Sequence, residues 1–257
     1  MVEQHMILLS SGDSFTYGNE LSDDSPSRPS SKTWSACLAN KLGMEHESVA
    51  KGGAGNDYIS RALITRASVL RKQNMNFVVA VMWTYPGRIE LKVDGEWHQL
   101  NDYVFWDSLE KLHAQWPGKG EKFYKTVLDK IQKDNTGGYL TLFRDYMKFT
   151  VLNGNYAIVN SYKSIFVTAQ YLKHHNIPFF FVNAVDHAMQ SQDQKSIDVW
   201  PYVDSLDNND WLPVPSFYEW AKENNYDFGS VHPLDRAHAD YADLILETGL
   251  VEKWQSK

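Results

Sequence analysis

Near the N-terminus an unbroken apolar run, Met6-Ile7-Leu8-Leu9, gives way within a few residues to Ser11-Gly12-Asp13-Ser14. An apolar run closed by glycine is the sequence form of a buried strand ending in a tight turn. A strand buried on both faces belongs to a parallel sheet covered by helices on each side. In open sheets of that kind, ligands bind beyond the carboxyl ends of the strands. A serine held there by a Gly-Asp turn is placed to act as a nucleophile. An ordinary Asx-type turn uses the same residues, so the reading depends on what else the chain brings to that edge.

The rest of the chain follows an alternating plan. Residues 19–31, rich in Ser, Asp and Pro, read as an exposed loop. A helix is expected over 34–42, closed by Gly43. Residues 47–50 form a weak strand leading into a Gly-rich loop. Ile59, Leu63, Ala67 and Leu70 recur at helical spacing, which predicts a helix over 57–71, capped by Asn56 or Asp57. Residues 77–82 and 178–184 are buried strands. Helices are expected over 140–173, 216–224 and 235–246, with 193–215 as loop. Strands alternating with helices imply a three-layer α/β/α sandwich with a mostly parallel sheet. Residues 91–138 do not fit that plan. They carry Trp97, Tyr103, Phe105, Trp106, Trp116, Phe123 and Tyr124, with a hairpin turn at Asp94-Gly95. They read as an aromatic-rich insertion over the active site within a single domain spanning 1–257.

Composition narrows the function. A hydrophobic fraction of 43% suffices for one large core, and a net charge of -7 argues against nucleic acid or an anionic membrane as partner. The single cysteine, Cys37, permits no internal disulfide and reads as a buried helix residue. No run approaches the roughly 20 apolar residues of a membrane span, and no secretory leader is visible. A cytoplasmic protein is expected, with release by lysis or association with a virion compatible with the same sequence.

Two later segments bear on Ser14. One is Ala50-Lys51-Gly52-Gly53-Ala54-Gly55-Asn56-Asp57; the other is His232-Pro233-Leu234-Asp235-Arg236-Ala237-His238. Together with Gly12-Asp13-Ser14 they resemble the SGNH, or GDSL, hydrolase family, as a phage- or bacterial-type member. The resemblance implies a flavodoxin-like strand order that gathers all three segments at one sheet edge. It also implies Ser14 as nucleophile, His232 as base, and the Gly53 N–H as an oxyanion donor. Asp13 and Asn56 belong to the same matched segments. Asn56 either steadies the Gly loop or caps the following helix, and the cap is the favoured reading.

Two departures from the family pattern stand out. The Gly-x-Asn-Asp block expected after the strand over 77–82 is replaced by Trp83-Thr84-Tyr85-Pro86-Gly87-Arg88. Thr84 falls near the missing Asn, and a hydroxyl can donate one hydrogen bond in its stead. Three residues before His232, where the family has Asp, stands Gly229. Asp227 is the nearest upstream acid; a Gly229 carbonyl or a carboxylate from elsewhere, such as Asp186, are the alternatives. His238 competes as base and reads as structural. Asp186-His187 is too small a set for a metal site, and His174-His175 reads as a solvated helix end. The reaction implied is cleavage of an O-acyl ester, on a small molecule or a glycan, through an acyl-serine intermediate and without metal or organic cofactor. Acyl transfer on the same site, or binding by a catalytically decayed fold, are the rival readings.

Overall fold

The computed structural model describes residues 6–93, 96–100, 125, 156–186 and 200–250. Strand β1 (Ile7–Ser11) is buried along its whole length. It pairs in parallel with β2 (Glu45–Ser48) on one side and with β3 (Phe77–Trp83) on the other. A hairpin of β4 (Ile89–Val93) and β5 (Glu96–Leu100) follows β3, with Val93 paired to Glu96; Asp94 and Gly95, where the turn is expected, lie outside the described residues. Strand β6 (Phe179–Asn183) adds in parallel to β3. The sheet order is β2-β1-β3-β6, the flavodoxin-like order for four strands. Its direction of winding reverses between β1 and β3, where such sheets bind ligands.

Alternation along the strands assigns the two faces. Leu8, Val78, Ala80, Met82, Phe180 and Val182 point into one core. That face is covered by α2 (Trp34–Lys41), α6 (Phe217–Glu223) and α7 (Asp235–Leu246). Ile7, Leu9, Val79, Val81, Trp83 and Phe181 point into the other, against α3 (Asn56–Lys72) and α4 (Tyr156–His174). On α3 the buried side chains Ile59, Leu63, Ala67 and Leu70 are those whose spacing predicted the helix. Each such Leu, Ile or Phe contributes about 1.5–3 kcal/mol by leaving water, so the sheet is held from both sides. The three-layer expectation holds.

Some boundaries shift. Within the segment expected as loop, a short helix α5 (Trp200–Val203) and a 3₁₀ turn (Asn208–Asp210) form. Helix α7 begins at Asp235, so Pro233 precedes the helix and Leu234 holds the cap position. Cys37 is half-buried on α2. Of the expected insertion, only 91–93, 96–100 and 125 are among the described residues; Trp106 and Trp116 lie outside them. No helix among the described residues is long and apolar enough to cross a membrane.

Candidate active site

Ser14 opens a four-residue helix, α1 (Ser14–Tyr17), directly beyond the carboxyl end of β1. Asp13 caps it: its carboxylate accepts the Phe15 N–H at 3.0 Å. Gly12 is required by close packing, since a Cβ there would strike the Thr16 side chain and crowd the Met82 carbonyl. Ser14 is 7% exposed, and its hydroxyl makes no hydrogen bond among the described residues. Its backbone N–H is likewise unspent, as the first residue of a helix has no intrahelical acceptor.

Asp13 does more than cap. It is 1% exposed, and it accepts a hydrogen bond from the Thr84 hydroxyl at 2.9 Å and another from the Arg88 guanidinium at 2.8 Å. A buried carboxylate is costly unless it is paired and hydrogen-bonded in this way. Thr84, just past β3, is thereby tied to the Ser14 turn. Asn56 holds Thr84 from the other side: its amide oxygen accepts the Thr84 N–H at 2.9 Å, and its amide nitrogen donates to the Thr84 carbonyl at 2.7 Å. It also donates to the Ser161 hydroxyl at 3.2 Å.

These contacts correct one expectation and give the resting partner of another candidate. Asn56 does not cap α3: Gly55 holds the cap position, without a side-chain bond, and Asn56 is already helical with its amide turned onto Thr84. Gly55 is glycine because a Cβ would run into the Arg88 backbone. Thr84 is positioned near the site, but the one proton of its hydroxyl is directed at Asp13.

The Gly-rich loop stands beside the serine turn, with the Lys51 N–H donating to the Gly12 carbonyl at 3.2 Å. Ala54 N–H closes a turn onto Lys51 O at 3.1 Å, with Gly53 inside it at φ 77°. That conformation costs a residue with a Cβ roughly 1–2 kcal/mol and costs glycine nothing. The Gly53 N–H has no hydrogen-bond partner among the described residues.

His232 arrives from a tight reversal before α7. Gly229 N–H donates to His232 O and Leu234 N–H to Asp227 O, both at 2.9 Å, and Phe228 bridges Pro233. The imidazole sits edge-on to Phe15, the neighbour of Ser14, with ring centres 5.2 Å apart. No hydrogen bond joins it to Ser14 in this state. Catalytic hydrogen bonds are often long before substrate binds.

Asp227 is exposed, and its carboxylate makes no hydrogen bond or ion pair among the described residues. The carboxylate at His232 is that of Glu20, a residue the sequence analysis did not single out. Its Oε2 lies 3.1 Å from Nδ1 of His232, at ion-pair distance though off the direction of an ideal N–H···O bond. The same oxygen accepts the backbone N–H groups of Val231 and His232, each at 3.1 Å. Its other oxygen accepts the Ser230 hydroxyl. Burial works to raise the Glu20 pKa, but the His232 ring, the Val231 amide and the His232 charge and amide together hold it down at about 2.

The remaining candidates lie apart. Asp186 accepts a hydrogen bond from Ser216 beyond β6, and His187 is outside the described residues. His238 is fully buried and accepts the Trp34 N–H on Nδ1 at 3.0 Å, as the structural reading expects. Among the described residues no group of three His, Cys, Asp or Glu is arranged to hold a metal ion.

No protein-family model and no curated protein matches the sequence. Solved structures similar to this chain include a lipolytic G-D-S-L family protein from Veillonella parvula. It is 12% identical, with 93% of this chain and 96% of that one aligned and a TM-score of 0.39. The acetyl xylan esterase Est2A of Butyrivibrio proteoclasticus is 12% identical over 96% of this chain and 64% of that one, with a TM-score of 0.46. A carbohydrate esterase family 2 enzyme from Corynascus thermopiles is 14% identical over 97% and 66%, with a TM-score of 0.42.

Proposed function

We propose that this chain is a serine ester hydrolase of the SGNH type, acting through an acyl-Ser14 intermediate. The observation that carries the reading is the placement of Ser14. It stands at the reversal point of the sheet, with the His232 ring against the next residue and two unspent backbone N–H groups, its own and that of Gly53, on the adjoining turns.

In the forward step Ser14 Oγ bonds to the ester carbonyl carbon while its proton passes to Nε2 of His232. The carbonyl oxygen takes up the negative charge and is met by the Ser14 and Gly53 N–H groups. Collapse breaks the ester C–O bond, and the imidazolium returns the proton to the leaving alcohol. Water repeats the sequence to release the acid and restore the serine. Asp13, Thr84 and Asn56 brace the serine turn. An acylated carbohydrate is the substrate class proposed, on the strength of the aromatic content of residues 91–138.

Labelling with a fluorophosphonate tests the reading, alongside hydrolysis of p-nitrophenyl acetate. The wild type is expected to label on Ser14, and Ser14→Ala not at all. Ser14→Ala and His232→Ala should each lose hydrolysis by several orders of magnitude, with little further loss in the double variant. An unlabelled wild type, or a Ser14→Ala protein with near-full activity, overturns it.

A further inference from the structure

We infer that Glu20 is the positioning acid of His232, delivered from the loop after the nucleophile, and that residue 229 is glycine because the Glu20 carboxylate occupies the space its side chain would take. The inference rests on the proposed Ser14–His232 chemistry, and it names the group that orients the base.

The geometry is specific on both partners. A Cβ built on Gly229 would lie 2.5 Å from Oε2 of Glu20, 3.0 Å from its Cδ and 3.1 Å from its Cβ. Any side chain at 229 would therefore displace the carboxylate from His232. Three donors of the reversal loop, the Ser230 hydroxyl and the N–H groups of Val231 and His232, converge on that one carboxylate, and Nδ1 of His232 lies beside it.

Glu20 is also held in an unfavourable backbone conformation. Its φ is 69°, in the left-handed region. A non-glycine residue persists there only where its surroundings over-determine it. Here Gly18, at φ 89°, turns the chain out of α1, and the Glu20 N–H donates to Asp24 at 2.9 Å. Downstream, Asp235 accepts the Ser22 N–H at 3.0 Å and the Ser22 hydroxyl at 2.6 Å, and pairs with Lys32 at 2.7 Å. The loop is thus clamped to the start of α7, the helix that His232 introduces.

A carboxylate 3.1 Å from Nδ1 favours the tautomer protonated there through its charge, without a directed hydrogen bond. The ring proton stays on Nδ1 facing Glu20, which leaves the Nε2 lone pair to accept the Ser14 proton. When that proton arrives, the imidazolium charge is stabilised by Glu20, which itself takes up no proton. A carboxyl held at about 2 is ionised throughout the neutral range.

Two measurements on the full chain decide the matter. Long-range ¹H–¹⁵N correlation of the neutral His232 ring should show the proton on Nδ1 in the wild type, and its return in Glu20→Ala to the Nε2-protonated form that free imidazole side chains favour. In parallel, Glu20→Gln should lower kcat on p-nitrophenyl acetate by about 10²–10⁴-fold with KM within about threefold, and Glu20→Asp should recover part of the loss. A wild-type ring protonated on Nε2 overturns the assignment without any variant. So does a tautomer unmoved by Glu20→Ala, even if activity falls, because Glu20 would then only brace the loop. A Glu20→Gln enzyme within threefold of wild type overturns it as well. A wild type lacking Ser14-dependent hydrolysis sinks the esterase reading alone, and the tautomer measurement still decides Glu20.

Discussion

Thr84 has one hydroxyl proton, and Asp13 takes it. The same hydroxyl also accepts from Arg88 at 3.3 Å, so the residue is a strut between β3 and the serine turn. Thr84→Val removes one donor from a carboxylate that is almost fully buried and leaves its other partners, Phe15 N–H and Arg88, in place. The expected cost is about 1–3 kcal/mol of stability, with kcat reduced by less than about tenfold. Urea unfolding and steady-state kinetics on one preparation check it. A fall in kcat of about 10²–10³ at unchanged stability would restore the oxyanion role. At this scale the sequence disclosed the parts that are contiguous. Gly12-Asp13-Ser14, the Gly53 turn and His232 are each marked by a few neighbouring residues, and the fold brings the three segments together beyond β1. Glu20 was illegible because it meets His232 across 212 positions, from a polar stretch that reads as loop. The trace it left was Gly229, a glycine where an acid was sought, and a vacancy in a local pattern does not say where the filling group comes from.

The elements were legible wherever one periodicity ruled. β3 is a continuous apolar run, β1 and β6 each open on one, and α3 shows its buried stripe directly. The ends of helices were less so, because capping there is decided by tertiary partners: Asn56 turned to Thr84 and left the cap to Gly55. The β4–β5 hairpin was expected from Asp94-Gly95 alone, and its docking shows what that signal could not. Arg61 of α3 donates to both carboxylate oxygens of Glu90, at 2.8 and 2.7 Å. The Trp97 ring covers the guanidinium of Arg61 with its centre 4.3 Å away, yet remains 43% exposed. An exposed indole packed on a fixed cation is a stacking platform more than a core residue. If it serves the proposed glycan substrate, Trp97→Ala should lower kcat/KM for an acylated oligosaccharide by about 10-fold and spare p-nitrophenyl acetate. The melting temperature should fall by only a few degrees, since an exposed cation–π contact contributes about 0.5–1 kcal/mol. Equal losses on both substrates with a large drop in melting temperature would assign Trp97 to the packing of the hairpin.

For the molecule as a whole, the buried histidines set the acid limit of stability before the carboxylates do. Burial pushes the His238 pKa down to about 3, opposed by the Asp235 charge and the Pro233 backbone contact and reinforced by the His232 charge. His238 packs against the Phe217 ring at 4.7 Å and needs its Nδ1 lone pair to accept the Trp34 N–H at the start of α2. Burial likewise lowers His46 to about 4, where its Nε2 lies 3.0 Å from the Ser10 hydroxyl. Both folded values stand below the ordinary 6.5. From 6.5 downward, therefore, the unfolded chain binds protons that the fold refuses, and stability falls with pH at up to about 1.4 kcal/mol per unit for each histidine. Glu20 and Asp235, each lowered to about 2 despite the opposing effect of burial, act in a second window. Their contribution is complete above their ordinary carboxylate values and is lost only as pH falls toward 2. Acid destabilisation should thus begin near pH 6.5 and steepen again below about 4.5. In His238→Gln the amide oxygen can accept the Trp34 N–H without a titratable ring. Urea unfolding between pH 7 and 4 should then show a shallower slope than wild type, by close to one proton, while the step below pH 4 persists. An unchanged slope between pH 6.5 and 4 would show that His238 does not govern the first window.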